Sequence, residues 1–401
     1  GEKKDRGCGS MEYKAMEEKA NPALKSIREQ LEIEMQHYMK NNPAMSTQAL
    51  ITMPIVFHVV YNGAAENVSD NCIAQTLIAL NKDFRKQNAD FATKCPAVFQ
   101  PMAADCEMQF CMATKDPTGA ASNGITRTST TVASFSTNNA VKYTAQGGKD
   151  VWDRNKFVNL WVCDLGSSLL GYGQFPGGSA ATDGVVCHYK YLVQSGGCGA
   201  APFELGRTTV HELGHFFNLR HIWGDANCGD DQVADTPTQQ GSNFGCPTFP
   251  KVTCSNGPNG DMHVNYMDYV DDKCMVMFTA GQKTRMVAAL NTSTRSGLLT
   301  SAATNCGATS IGISENYLSD LVSVFPNPSS GVFTINASIP NVSTADIIIY
   351  NAIGEAVLEK RITIKYGNGV EVDLTDKPEG MYLIKLKTSE GVVTKQIVIS
   401  K

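Results

Sequence analysis

Apolar residues recur along this chain in three different rhythms. In residues 1–46 they are sparse and set among charges: Leu24, Ile27, Leu31, Met35 and Tyr38 or Met39 fall at helical spacing, with Asn21 suited to an N-cap and Pro22 to the first helical position. That pattern predicts a charged, amphipathic helical arm. The texture then changes: 51-ITMPIVFHVVY-61 reads as an apolar, β-branched strand and 72-CIAQTLIALNKDF-84 has helical periodicity. Further strands are predicted at 157–163 and 184–189, separated by the Gly-rich 168-SLLGYGQFPGG-178. One helix should begin near Arg207, and a last one should run over 279–291 from a Thr279 cap. Strands alternating with long helices indicate an α/β module. The third rhythm is alternation over short runs, at 332–335, 345–350, 369–374, 380–386 and 392–400, which predicts a small all-β sandwich. The expected partition is an arm over 1–46, an α/β domain over 47–306, a connector over 307–317 and a β-sandwich over 318–401.

Composition narrows the setting. Hydrophobic residues make up 42% of the 401, ample for real cores, and a net charge of −5 supplies no basic field to attract nucleic acid or an anionic membrane. Nucleic acid is therefore not an expected partner, and no apolar run approaches the length of a membrane span. No leader peptide stands at Gly1, so that residue is not expected to be the biological start. Thirteen cysteines suit an oxidising compartment: Cys106 and Cys111, Cys187 and Cys198, and the series Cys228, Cys246, Cys254 and Cys274 read as staples, and an odd total leaves one over. Residues 225–265, rich in Asp, Asn, Gly and Cys, should be held by disulfides or metal rather than by regular structure.

The candidate chemistry lies in 211-HELGHFFNLRHIWGD-225. Three of the seven histidines fall within it. His211 and His215, four apart on a helix, share a face and can offer two nitrogens to one metal, while Glu212 falls beside the metal, placed to take a proton from water. His221 cannot lie on the same straight face, so the helix must end and the chain turn back, and Asn218 stands where a left-handed residue is required. Three neutral histidines leave the fourth position of zinc open, the geometry of a catalytic rather than a closed structural site.

On these residues the chain resembles a known family. HELGHFFNLRH is similar to the long zinc signature of the metzincins, NYMDY at 265–269 resembles that clan's Met-turn, and RTTVHELGH, HIWGD, DQVADTP and NYMDYVDDKCMVMFTAGQKTRM resemble the pappalysin family, its bacterial members above all. The likeness covers roughly residues 50–300, with Asn218 where most metzincins have glycine. It implies a metzincin-type α/β catalytic domain, a twisted mixed sheet with an active-site helix, acting as a zinc endopeptidase. In that reading His211, His215 and His221 bind zinc, Glu212 is the general base, Met267 floors the metal, Tyr269 stabilises the oxyanion, and Leu169, Leu170, Gly171 and Tyr172 form the edge strand that pairs with an extended substrate peptide. Asp272, assigned by the family pattern to the wall of the pocket after the scissile bond, would favour cleavage on the amino side of Arg or Lys.

The same resemblance suggests calcium in the acidic loop, with Asp230, Asp231, Val233, Asp235 and Thr236 as candidate ligands. Four cysteines in this region allow three pairings, and the family favours Cys228 with Cys254 and Cys246 with Cys274. In 6-RGCGSMEY-13 the leftover thiol Cys8 lies between glycines that let the backbone enter a deep cleft, and the segment resembles pappalysin propeptides in which such a cysteine takes the water's place on zinc. The tail, with FPNPSSGVFTI, YNAIGEAV and LTDKPEGMYLIKL, resembles the C-terminal sorting domain of the type IX secretion system. The expected protein is thus a monomeric zymogen exported across a bacterial outer membrane, secreted or held at the cell surface. Its expected partners are protein or peptide substrates and the export machinery. A surface binding module with a structural zinc is the competing class, and the presence of Glu212 argues for chemistry.

Overall fold

The computed structural model describes residues 5–42, 50–306, 322–337, 344–363, 369–388 and 391–401. The expected boundary at 46/47 and the connector 307–317 lie outside them. Contacts divide the chain into two compact units, Gly1–Gly307 and Ala308–Lys401.

In the first unit the arm forms two helices, α1 (Ser10–Ala20), which was not separately expected, and α2 (Ala23–Asn41), which begins where Asn21 and Pro22 signalled a helix start. The break comes from Pro22, whose ring forces the preceding residue out of the helical region: Asn21 is extended at φ −139° and ψ 92°. Its side chain still serves the next helix, accepting from Ala23 N at 3.2 Å. The α/β part then runs β1 (Ile51–Tyr61), α3 (Asp70–Phe84), α4 (Phe91–Lys94), β2 (Met108–Met112), β3 (Ile125–Ser129), β4 (Val158–Cys163), β5 (Gly171–Gly173), β6 (Val185–His188), α5 (Arg207–Phe216), α6 (Ala280–Leu290) and α7 (Leu298–Asn305). The sheet is mixed. Its order is β2-β1-β4-β6-β5, with β3 also pairing β1; all its pairs are parallel except β5 with β6.

Burial on both faces explains the continuous apolar runs of β1 and β4. Phe57, Val59, Leu160 and Val162 join the main core beneath α3 and α5, while Val60, Trp161 and Cys163 face a second cluster that includes Tyr13 of the arm. The antiparallel strand β5 stands at the sheet's edge, directly against α5, where a Cβ on Gly171 would approach Glu212 Cγ at 2.8 Å and one on Gly173 would meet Glu212 O at 2.5 Å. Only glycine lets this edge lie so close.

The second unit stacks a four-stranded sheet, β10 (Ala356–Thr363), β9 (Thr344–Tyr350), β12 (Gly380–Thr388) and β13 (Gly391–Ile399), on a three-stranded one, β11 (Val370–Asp373), β8 (Val332–Ala337) and β7 (Val322–Phe325). Inward residues such as Phe333, Ile347, Ile384 and Ile397 form its separate core. Strands β7 and β10 were not expected from the pattern. β10 carries Glu359, Lys360 and Arg361 on an exposed edge, where solvation rather than apolar alternation is tolerated.

The cysteine staples need correction. Cys111 pairs with Cys306 and Cys72 with Cys198, whereas Cys106 and Cys187 are buried free thiols. Sequence proximity misled: Cys106 and Cys187 turn into the main core, and the chain brings partners together from 126 and 195 residues apart. Cys228 bonds Cys254 and Cys246 bonds Cys274. Five thiols, not one, remain free, and of these Cys8 alone is not fully buried. Peptide mapping without reductant should recover the Cys111–Cys306 link, with Cys106 and Cys187 alkylated only after denaturation. Cys111→Ser with Cys306→Ser should cost about 3–5 kcal/mol of stability in urea titration, because a long loop is released in the unfolded chain. A Cys106–Cys111 link would overturn this pairing.

Candidate active site

Helix α5 carries the first two histidines and is anchored at its start. The buried Arg207 guanidinium donates to both carboxylate oxygens of Asp90, at 2.7 and 2.8 Å, and also bonds Asp83. All ten residues of the helix are buried. It ends because Asn218 adopts φ 67°, which sends Leu219 N back to Gly214 O at 2.9 Å and returns the chain toward the site. Arg285 Nε donates to Asn218 O at 2.9 Å and fixes that turn. Met267 packs under the helix at Gly214, where a Cβ would stand 2.4 Å from its sulfur.

The return places His221 beside the other two. One ligand atom from each of Cys8, His211, His215 and His221 can be chosen so that all four lie within 4.8 Å of one another. Partners on the far side of each ring fix the tautomers: His211 Nδ1 donates to Tyr266 O at 2.7 Å, His215 Nδ1 to Leu219 O at 2.8 Å, and His221 Nδ1 to the Asp225 carboxylate. The three Nε2 lone pairs therefore converge. His215 Nε2 and His221 Nε2 are 3.1 Å apart, and buried His211 Nε2 has no hydrogen-bond partner among the described residues. Burial holds His211 well below its usual range and pushes His215 down to about 3, so neither becomes a cation. Converging acceptors of this kind fit a borderline-soft cation, and the Nε2/thiolate donor set suits zinc.

Glu212 stands beside this cluster. Burial above all pushes its carboxyl up to about 7, against the pull of hydrogen bonds from Ser10 Oγ at 2.8 Å and Cys8 Sγ at 3.4 Å. Burial is also the main reason that the Tyr269 phenol lies far above its ordinary range; that half-buried ring sits 4.9 Å from His221 and 4.8 Å from Trp223.

The arm lies along the edge strand. Leu170 N donates to Gly7 O at 2.8 Å and Gly9 N to Gly171 O at 2.9 Å, a parallel pairing that centres Cys8 on the histidines. Gly7 is obligatory there, since a Cβ would come within 2.1 Å of Ser168 O. Leu169 flanks the same track, and Tyr172 turns to the opposite face of the sheet. Two residues before Cys8, Arg6 enters a closed pocket. Its guanidinium pairs with Asp272, donates to Val270 O at 3.2 Å and Thr208 Oγ1 at 3.3 Å, and lies over the Phe203 ring. Asp272 is fully buried and also accepts from Leu205 N at 2.8 Å and Arg207 N at 3.2 Å.

In the acidic loop Thr236 Oγ1 lies 2.9 Å from both Asp231 oxygens and 2.8 Å from Val233 O. The other carboxylates point elsewhere: Asp230 accepts from Gln232 N, and Asp235 caps α6 through Thr279 Oγ1 and Gly281 N.

Sequence reasoning missed Arg6, Ser10, Phe203 and Asp225. Asp225, four residues after His221, and Arg6, a basic residue two before the thiol, carried a readable signal. Ser10 and Phe203 carried none.

The sheet, the active-site helix and its returning third histidine define a metzincin-type catalytic domain. Residues 142–291 match the pregnancy-associated plasma protein-A peptidase family, and residues 323–400 match the secretion system C-terminal sorting domain. An extracellular metalloprotease of Pyricularia oryzae is 40% identical over 136 residues, which are 33% of this chain and 47% of that one. Another, from Neurospora crassa, is 30% identical over 260 residues, 62% of this chain and 77% of that protein. The chain thus spans about half the length of some curated relatives and three quarters of others. Mature mirolysin of Tannerella forsythia with a cleaved peptide is 44% identical, with a TM-score of 0.62 over 64% of this chain and 98% of that one. A promirolysin mutant of the same organism is 41% identical, with a TM-score of 0.63 over 73% and 97%. The chain belongs to the pappalysin family, and its tail is a sorting domain of secreted proteins.

Asp225 orients His221 and leaves its far nitrogen free for metal. Asp225→Ala should weaken zinc binding by roughly 10–100-fold, read by competition with a chromophoric chelator, with the fold intact by circular dichroism. Unchanged affinity would show that His221 is not a ligand.

Proposed function

We propose that this protein is a secreted zinc endopeptidase, made latent by its own arm, that cuts on the amino side of Arg or Lys. The observation that carries this reading is the joint placement of Cys8 among three imidazoles and Arg6 against Asp272. Residues 1–46 are then the propeptide, 47–306 the catalytic domain, 307–317 a connector and 318–401 the sorting domain that the type IX machinery would read; the division of the chain after Gly307 supports the end of the catalytic domain. The protein acts as a monomer on protein or peptide substrates.

Zinc held by His211, His215 and His221 would supply Lewis acidity toward the scissile carbonyl and toward water. Glu212, beside the histidine cluster, takes the proton from that water and returns it to the leaving amine. The Tyr269 hydroxyl, neutral over the working range, donates to the developing oxyanion. Leu170 N and Gly171 O, now engaged by the arm, hold the substrate backbone.

Direction explains why the arm itself is spared. A productive substrate has its basic residue on the carboxyl side of the bond at the metal, whereas in the arm Cys8 follows Arg6, so the arm runs backwards through the cleft. Ser10 completes the block by donating to Glu212 while accepting from Gly173 N at 2.7 Å. The buried Arg6–Asp272 pair anchors it: removing one partner from such a pair costs about 3–5 kcal/mol, because the other charge is left buried.

Calcium is proposed for the loop at Asp231, Val233 and Thr236, whose oxygens already face one another. Burial first, and then the Asp230 charge, push the Asp231 carboxyl up to about 6, the cost a divalent cation would offset. Asp230 and Asp235 would add main-chain oxygens, since their carboxylates are engaged elsewhere.

Three outcomes test this function. Glu212→Ala should keep zinc by metal analysis and lose fluorogenic-peptide turnover by several orders of magnitude; substantial residual turnover would place the general base elsewhere. Cys8→Ala should mature sooner than the parent, with new amino termini at Lys40 and Arg28, because the region between Asn41 and Asn81 contains no Lys or Arg. Mostly non-basic termini would sink the Asp272 assignment, and equal rates would sink the thiol latch. Calcium-selective chelation should lower the melting temperature while zinc stays bound, and an unchanged melting curve would leave the loop without a cation.

A further inference from the structure

The metal cluster, the general base and the Asp272 pocket account for Arg6, Cys8 and Ser10. They do not account for Tyr13. This side chain is wholly buried, in a pocket beyond the edge strand whose walls are shaped for a phenol. Its ring lies 5.0 Å from that of Tyr172, and the Lys142 nitrogen stands 4.5 Å from its centroid. Its hydroxyl is 2.8 Å from Asn139 Oδ1, 2.9 Å from Gln174 Oε1 and 3.3 Å from Lys142 Nζ.

These walls belong to the body of the protein, not to the arm. Gln174 is held in one orientation, Nε2 donating to Ser179 O at 2.8 Å and Oε1 accepting from Thr182 Oγ1 at 2.8 Å. Lys142 is fully buried and donates to Thr182 O at 2.7 Å. Tyr172 and Gln174 come from and just after β5, the strand that the arm pairs with. When the arm departs, the Lys142 nitrogen and two amide oxygens are left aimed into an aromatic-walled cavity beside the track of the peptide.

We propose that this pocket is a second specificity subsite, on the amino-terminal side of the scissile bond, that selects a tyrosine of the substrate. The proposal rests on the peptidase reading above and extends it. Arg6 fills the Asp272 pocket with the residue type expected of a substrate, and Tyr13 fills this one in the same way. The polar complement discriminates among occupants. A phenol offers an acceptor to Lys142 and a proton to the amide oxygens. Phenylalanine satisfies none of them. A carboxylate suits Lys142 but faces the oxygens of Gln174 and Asn139, acceptor against acceptor. Aliphatic side chains forgo the contact of the ring with the Lys142 nitrogen and with Tyr172 as well. Because Arg6 lies on the primed side and the arm runs backwards, residues after Cys8 lie on the non-primed side. Two extended and three helical steps separate Cys8 from Tyr13, about 11 Å if collinear, or about three residues of extended substrate.

The test uses the full chain after removal of its arm, by self-processing or by an added protease. Quenched peptides carry Lys after the scissile bond and Tyr, Phe, Glu or Leu at each of the three preceding positions. At one position Tyr should exceed Phe about tenfold in kcat/KM, the worth of a buried hydrogen bond, and should also exceed Glu. Lys142→Met and Asn139→Gly, the latter compatible with the left-handed φ of 66° at that residue, should each bring the Tyr-to-Phe ratio toward one. A flat ratio at all three positions means that the pocket serves only the arm, and a preference for Glu makes it an anion site; either result overturns the proposal. If no peptide is cut, the peptidase reading fails, and the pocket is judged by binding alone. Fluorescence anisotropy then compares a peptide of residues 5–20 with its Tyr13→Phe form on the processed chain. Equal affinities overturn the proposal there too.

Discussion

His215 Nε2 and His221 Nε2 approach to 3.1 Å with both protons held on the far side of their rings. Two lone pairs brought this close repel, and burial forbids the easy remedy of protonating His215. A cation between them would relieve that repulsion. Much of the first unit keeps the arrangement in place: Arg207 anchors the start of the helix, Asn218 reverses the chain, Arg285 pins the reversal, and Met267 closes the space under Gly214.

The arm meets this demand with matched chemistry at each point of the cleft. Its thiol faces the imidazoles, its serine faces the Glu212 carboxylate, and its arginine faces a carboxylate that would otherwise lie buried with only backbone donors. Farther along, Arg285 pairs with Glu32 of the second arm helix, and Arg28 closes on Glu17 and Glu18 within the arm. Buried pairs of this kind lend specificity more than net stability. They set the register of the arm, so that two residues from arginine to thiol span the distance from the Asp272 pocket to the metal position.

Backbone approach is the complementary constraint. Gly171 and Gly173 let the edge strand rest on the helix that carries Glu212, and Gly7 lets the arm rest on the strand. Three layers, helix, strand and arm, are thereby stacked close enough for main-chain hydrogen bonds to position the arm at the three histidines while its side chains enter pockets on either side.

How much of this was legible varies with the range of the interactions involved. The helix of His211 and His215, its stop at Asn218, the capped helix from Thr279 and most of the β-sandwich follow from periodicity and local backbone preference, which act over a few residues. The helix start at Asn21–Pro22 obeys an equally local rule and was readable in the cap and the proline, whereas the separate helix before it, Ser10–Ala20, carried no apolar rhythm of its own. The pairing of Cys111 with Cys306, the burial of Cys106 and Cys187, the pocket around Arg6 and the polar walls around Tyr13 follow from no local pattern. Each is decided by which strands and helices the collapsed core brings together across tens to hundreds of residues. The sequence by itself determined the metal-binding chemistry, since that is written in residue type and short spacing. Only the tertiary structure decided which thiols pair and what the arm's side chains meet, because those outcomes depend on distances that exist only once the chain has packed.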